Sequence, residues 1–393
     1  MEKAHSNPLE FSISTGGPLY KLFVRMHVQD SHIKLALIGL GLTWLPLLII
    51  TAFEGTLYSG TELPFLKDVA MQARILVALP ILLLINVSID SKVSTVLKYL
   101  SETLLDRDEQ HTLVNTALRK AKRLTDSAYT EIVFLLIVIF ITTSFVRAGV
   151  FAGLGGETSS WLTTSDSGNQ SLSLAGYWAV IVSIPFFQFL LLRWLWRYVA
   201  WTVFIYRFSK SGLDLMPTHA DRSGGLGIIM LAQKSFGLIF VAGSVVVSGQ
   251  FIAQLLQHPE QFDSLRGTAI GYIVISLILI ILPLLFFIGN LTQLKNSGLM
   301  QLSNLGVKLS RGFERDWLSD QTSEKSIEGS PVDPSMIYDY GGMYDTLQQI
   351  RVVPIHPRDL ISMGVMLLAP FLPILFIHYS VAELLQRIAG MLM

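Results

Sequence analysis

Seven stretches of this chain are apolar and long enough to cross about 30 Å of hydrocarbon, and no other feature constrains the fold as strongly. They fall at residues 35–53, 70–89, 132–151, 176–196, 235–256, 269–289 and 360–380. Inside lipid each backbone N–H and C=O must find its partner within the segment, so each run is expected to be a helix. Of 393 residues, 51% are hydrophobic and 15% charged. A water-soluble domain has no interior large enough for that much apolar surface. The predicted fold is an all-α integral membrane protein with seven transmembrane helices.

The placement of lysine and arginine predicts the orientation. They gather in the N-terminal arm (Lys3, Lys21, Arg25, Lys34), after span two (Lys92 to Arg123), after span four (Arg197 to Arg222) and after span six (Lys295 to Arg358). The alternate loops carry only Lys67, Arg266 and Arg387. By the positive-inside rule the N-terminus is cytoplasmic and, with an odd number of spans, the C-terminus lies outside. The first span follows no leader-like pattern and is expected to be retained.

Helical spacing continues past several spans, at Val93, Val96, Leu97 and Leu100, and at Leu113, Ala117, Leu124 and Ala128. The expected organisation is a cytoplasmic arm (1–34), six spans within 35–317 with cytoplasmic extensions (90–131, 197–225, 290–317), a mobile linker (318–335), a cytoplasmic segment (336–359), and span seven with a short external tail (360–393). Prolines at 46, 80, 185, 283, 370 and 373 predict kinks, since each removes a helix hydrogen bond. Leu-Pro-Leu-Leu (45–48) and Leu-Pro-Ile-Leu (79–82) recur in that order at 282–285 and 372–375, as an inverted repeat would place them.

Chemistry-bearing residues concentrate in Pro217–Gly227. His219, Asp221 and Arg222 could form a ligand site, gate or anion clamp, and Gly224, Gly225 and Gly227 would let backbone amides approach it. The same residues also suit a tight turn capped by Asp221. A second cluster, His356, Arg358 and Asp359, precedes span seven. The two pairs of His and Asp could ligate a divalent metal if the loops met, and an Arg222–Asp359 pair could join two helix ends. The cations Arg74, Arg147 and Lys234, near helix ends, are expected to snorkel. Arg193 and Arg197, beside Trp194, Trp196 and Trp201, are expected to anchor span four at the interface. No Asp or Glu falls mid-span, which argues against a proton-coupled carrier with a buried carboxylate.

Zinc-protease, Walker and nucleophile-elbow signatures are missing. Lys+Arg equal Asp+Glu at 29 each, which gives no reason to expect nucleic acid, and with no cysteine there is no disulfide, thiolate metal site or S-palmitoylation. No cofactor is expected. The expected partners are the lipid bilayer and either further copies of the chain or a cytoplasmic protein.

The strings His219-x-Asp-Arg-x-Gly-Gly-Leu-Gly227, Met343-Tyr-Asp-Thr-Leu-Gln-Gln-Ile-Arg-Val-Val-Pro354 and Ala369-Pro-Phe-Leu-Pro373 resemble segments of a family of bacterial multi-pass membrane proteins. The resemblance implies a bacterial inner membrane and no particular activity. Three readings of function follow. The leading one is a channel or transporter for a small anion or amphiphile. A second is a non-transporting sensor or assembly partner that docks another protein through its cytoplasmic helices. A third is an interfacial lipid-headgroup enzyme using His219 and Asp221.

Overall fold

The computed structural model describes residues 12–25, 32–147, 159–166, 169–258, 262–318 and 333–378. Its helices are α1 (Gly17–Arg25), α2 (His32–Phe53), α3 (Val69–Thr103), α4 (Asp108–Asp126), α5 (Ala128–Arg147), α6 (Leu174–Phe208), α7 (Leu226–Gln257), α8 (Phe262–Leu318), α9 (Pro334–Gln348) and α10 (Pro357–Phe376). Seven of them, α2, α3, α5, α6, α7, α8 and α10, are long and apolar enough to cross a membrane. One end of the bundle, the basic end, carries α1, α4 and α9. The far end carries residues 54–68 and a hairpin of two short strands, β1 (Thr163–Asp166) and β2 (Asn169–Leu172).

The extensions expected past spans two, four and six are realised in the long helices α3, α6 and α8, although α6 stops at Phe208 and residues 209–225 are a loop. α3 and α6 run 35 residues each and α8 runs 57. At 1.5 Å per residue, 35 residues reach roughly 50 Å, about 20 Å more than the hydrocarbon needs. The last described part of span seven is Leu372–His378, and the ends expected for spans three and seven, beyond 147 and 378, lie outside the described residues.

α7 is the central helix, with Ala232, Phe236, Ala242 and Ser244 fully buried. Small residues let neighbours touch it: a Cβ on Gly249 would stand 2.6 Å from the Ala73 Cβ of α3. Polar groups in the core bond one another. Gln233 accepts from the Trp201 indole (2.9 Å) and donates to the Tyr198 hydroxyl (3.0 Å) and the Ile280 carbonyl (2.5 Å).

The prolines act through the carbonyls they leave unpaired. Pro46 blocks the helix bond to Leu42, and that carbonyl accepts from the Trp178 indole at 3.2 Å. Pro283 does the same to Leu279, whose carbonyl accepts from the Tyr198 hydroxyl at 2.6 Å. Both donors belong to α6, so the two Leu-Pro-Leu-Leu segments are bound from one helix. Pro80 and Pro185 instead follow widened π-helical turns at Ala73–Ala78 and Ala179–Ser183, while Pro283 and Pro370 sit in tight 3-10 segments.

Two expectations need correction, and one feature was not foreseen. The tryptophans of α6 do not anchor at an interface: Trp194 and Trp201 are buried, and Trp194 and Trp196 donate to the carbonyls of Leu82 (2.8 Å) and Leu124 (2.9 Å). They clamp helices because an indole inside a bundle must place its N–H on an acceptor. The linker of 318–335 falls mainly on residues 319–332, outside the described ones, but Pro334 and Ser335 already belong to α9, with Asp333 as its cap. Proline at the first helical turn needs no N–H partner, which favours that start. The far-end strands were not expected, because residues 160–172 are polar without clean alternation. They are organised by Trp161, which is buried against Phe65 (ring centroids 5.0 Å apart) and donates to Asp68 at 3.0 Å.

Candidate functional site

Two polar centres occupy the basic end, and only the first was visible in the motifs. Between α6 and α7 the chain turns around the Asp221 carboxylate. It accepts the amides of Ser223 (2.8 Å), Gly225 (3.1 Å) and Gly227 (2.9 Å). Such a convergence of three N–H groups requires left-handed backbone, supplied by Gly224 (φ 64) and Gly225 (φ 93), and also by Arg222 (φ 53). His219 Nδ1 lies 2.8 Å from Asp221 Oδ1 and 3.3 Å from the Asp221 amide, and its Nε2 lies 3.3 Å from the Tyr99 hydroxyl of α3. The shorter contact is the one that a proton on Nδ1 would make. Burial alone would raise the Asp221 pKa. The amides of Gly227, Ser223 and Gly225 and the His219 ring together outweigh it and hold the carboxyl below the ordinary range.

The loop is also bonded to α4, to α8 and to the segment after α9. Gln110, in the first turn of α4, donates to the carbonyl of Gly212 and to Asp214 (3.1 Å). Asn290 of α8 donates to the Ser209 carbonyl at 3.1 Å, and the Arg351 amide donates to the Arg222 carbonyl at 2.9 Å. Asp221 is thus saturated by the loop that it folds. A carboxylate in that state cannot take up a substrate proton without dismantling the turn.

The expected Arg222–Asp359 pair does not form. Asp359 bonds Lys234 instead, at 2.6 Å, and ties the foot of α10 to α7. His356 caps α10, its Nδ1 accepting the Arg358 amide at 3.1 Å. His219 and His356 therefore serve separate turns, and among the described residues no three His, Asp or Glu side chains converge in a geometry that could hold a metal. Arg147 is exposed at the end of α5, and Arg74 is half-buried with its guanidinium 3.9 Å from the Met71 sulfur.

The second centre corrects the reading of Arg193 and Arg197. Both are buried, and part of the segment expected as a cytoplasmic N-terminal arm lies against them, with Ile13 fully buried. Arg193 pairs with Glu131 (Nε–Oε1 2.8 Å) and donates to the Gly16 carbonyl at 2.9 Å. Arg197 donates to the Ser14 carbonyl and stacks over Trp194 at 5.0 Å. Asp90 accepts the Ser14 amide at 3.1 Å, and Glu131 accepts the Leu19 amide at 2.9 Å at the start of α1. Sequence reasoning missed Asp90 and Glu131 because they sit at span ends, where charge is ordinary. The run Ser14-Thr-Gly-Gly-Pro18 was the available signal of a fixed turn.

A cavity of about 700 Å³ opens beside the first centre, lined by Glu102, Asp106, Asp214, Asn290, Gln293 and Ser297 among others. It is acidic, and neither His219 nor Arg222 lines it, so it does not suit the anion clamp expected there. Comparison with protein-family models, curated proteins and solved structures finds no match to this chain. The resemblance carried by the short strings stays one of motifs.

Proposed function

We propose that this protein is a membrane-embedded docking protein, whose helical hairpin on the cytoplasmic side of a bacterial inner membrane binds another protein chain. One observation carries the reading. The end of α8 and the antiparallel α9 form a two-helix hairpin, closed where Leu347 packs at Gly298 and Tyr340 at Gly306. Its other faces expose Met300 (71%), Val307, Met336 and Tyr338 (85%). Met300 lies 11 residues beyond residue 289, where the apolar run ends, which places it about 16 Å along the helix. The headgroup layer adds only about 5–7 Å to the hydrocarbon, so Met300 and Val307, seven residues and two turns apart on one helix face, stand in water as a contact surface would hold them.

A channel or transporter is less well supported. The bundle interior is filled by residues such as Leu79, Leu82, Phe204 and Phe236, and its buried polar trio of Gln233, Tyr198 and Trp201 is internally satisfied. The headgroup-enzyme reading would have to use the Tyr99 hydroxyl, 3.3 Å from His219 Nε2, which burial and the Asp221 charge hold protonated, together with a carboxylate already occupied.

The test is the state of the protein extracted in mild detergent. Wild type should migrate as a complex, with itself or with another protein, and Met300→Lys/Tyr338→Lys should migrate as a single chain with unchanged membrane yield. A wild type that migrates as a lone chain overturns the reading.

A further inference from the structure

On the flank of the bundle α1, α2, α5 and α6 enclose a groove of about 750 Å³, within the size range of sites for small amphiphiles. Its walls are apolar, formed by Leu42, Ile132, Leu135, Ile181, Phe186 and Phe189. Ile132, Leu135 and Ile181 expose half or more of their surface. All three belong to membrane-spanning helices, so the groove faces outward, toward hydrocarbon.

One end of the groove is charged. Lys21 and Arg25 line it from α1, four residues and so about one turn apart on one helix face. Neither has an acidic partner among the described residues. Glu131 also lines that end, but its oxygens are taken by Arg193 and the Leu19 amide. α1 itself packs Leu19 and Phe23 on the core and turns Lys21, Val24 and Arg25 outward, as an interfacial helix does. It lies immediately before α2, at the level where headgroups would sit. The widened turn of α6 at Ala179–Ser183, and Pro185 beyond it, form part of the wall.

We propose that this groove binds one anionic phospholipid from the bilayer, its phosphate on Lys21 and Arg25 and an acyl chain along Ile132, Leu135, Ile181 and Phe189. Two unpaired cations at the mouth of an apolar slot complement such a lipid in both charge and polarity. A free phosphate would leave the apolar walls unused, and a zwitterionic lipid would bring a third cation to the pair. This site is separate from the docking hairpin, and neither proposal depends on the other.

The full-length protein should be placed in phosphatidylcholine nanodiscs holding a small fraction of phosphatidylglycerol that carries a photoreactive diazirine in its acyl chain. Labelled peptides are then mapped by mass spectrometry. The phosphatidylglycerol probe should label residues 132–135 and 181–189 roughly tenfold more than a phosphatidylcholine probe with the same chain. Lys21→Glu/Arg25→Glu should abolish that preference while labelling on the exposed face of α8, at Ile275 and Ile278, stays unchanged. If the α8 pattern is lost, the variant is misfolded and Lys21→Gln/Arg25→Gln replaces it under the same criterion. Equal labelling by both probes in the wild type would overturn the proposal, as would a preference that survives removal of both charges. Adducts from neither probe at residues 132–135 and 181–189, with Ile275 and Ile278 labelled normally, would overturn it as well.

Discussion

Arg193 and Glu131 form a buried ion pair, Nε to Oε1 2.8 Å, that also holds the N-terminal segment: Arg193 donates to the Gly16 carbonyl and Glu131 accepts the Leu19 amide. Two span ends and the start of α1 meet at this one pair. A lone charge left in such a place is costly, whereas replacing both partners is often tolerated.

Glu131→Leu or Arg193→Met should each destabilise the protein by about 3–5 kcal/mol, and Arg193→Met/Glu131→Leu by clearly less than the sum. Thermal unfolding in detergent reads this. Either single variant should also expose residues 12–19 to added protease. Additive losses with an unchanged digestion pattern would mean the pair does not hold the segment.

Tyr198→Phe should cost about 1–3 kcal/mol, because it strands the Leu279 carbonyl that Pro283 has deprived of its helix partner. In a Pro283→Ala background the residue at 283 regains an N–H that can reach Leu279. There Tyr198→Phe should cost clearly less, the remainder being the Gln233 amide that loses the hydroxyl in both backgrounds. An equal cost in both backgrounds would separate the tyrosine from the proline.

Asp221 has a depressed pKa in the folded state, so its contribution is fully present above its unfolded value, 3.8 in ordinary peptides, and is lost as pH falls through the lower folded value. Asp221→Asn should lower stability at neutral pH by about 1–2 kcal/mol and flatten the acid limb of the stability profile. Gly225→Ala should cost a similar amount through its φ of 93. An unchanged acid limb in Asp221→Asn would remove the carboxylate from the account.

The seven apolar runs, their continuation past the spans and the turn at Asp221 were legible because each rests on local pattern: length of apolar run, helical spacing, and glycines beside an aspartate. Contacts between distant segments were not. Nothing local distinguishes Glu131 at a span end from any interfacial acid, and Arg193 reads as an interfacial anchor until the N-terminal turn is laid against it. Lys234 rather than Arg222 reaches Asp359 because partner choice depends on how α7 and α10 cross. The hairpin of α8 and α9 was half visible: the helix was expected, but its closure at Gly298 and Gly306 requires knowing which residues face each other.

The most direct measurement of the docking claim is photo-crosslinking in intact cells, with a benzophenone amino acid at position 300 or 338 and, as a membrane-facing control, at Phe140, which is exposed on α5. Positions 300 and 338 should each give one discrete protein adduct that Val307→Lys removes, while position 140 gives none. Absence of any protein adduct at 300 and 338, in a chain that reaches the membrane at normal yield, would contradict the account.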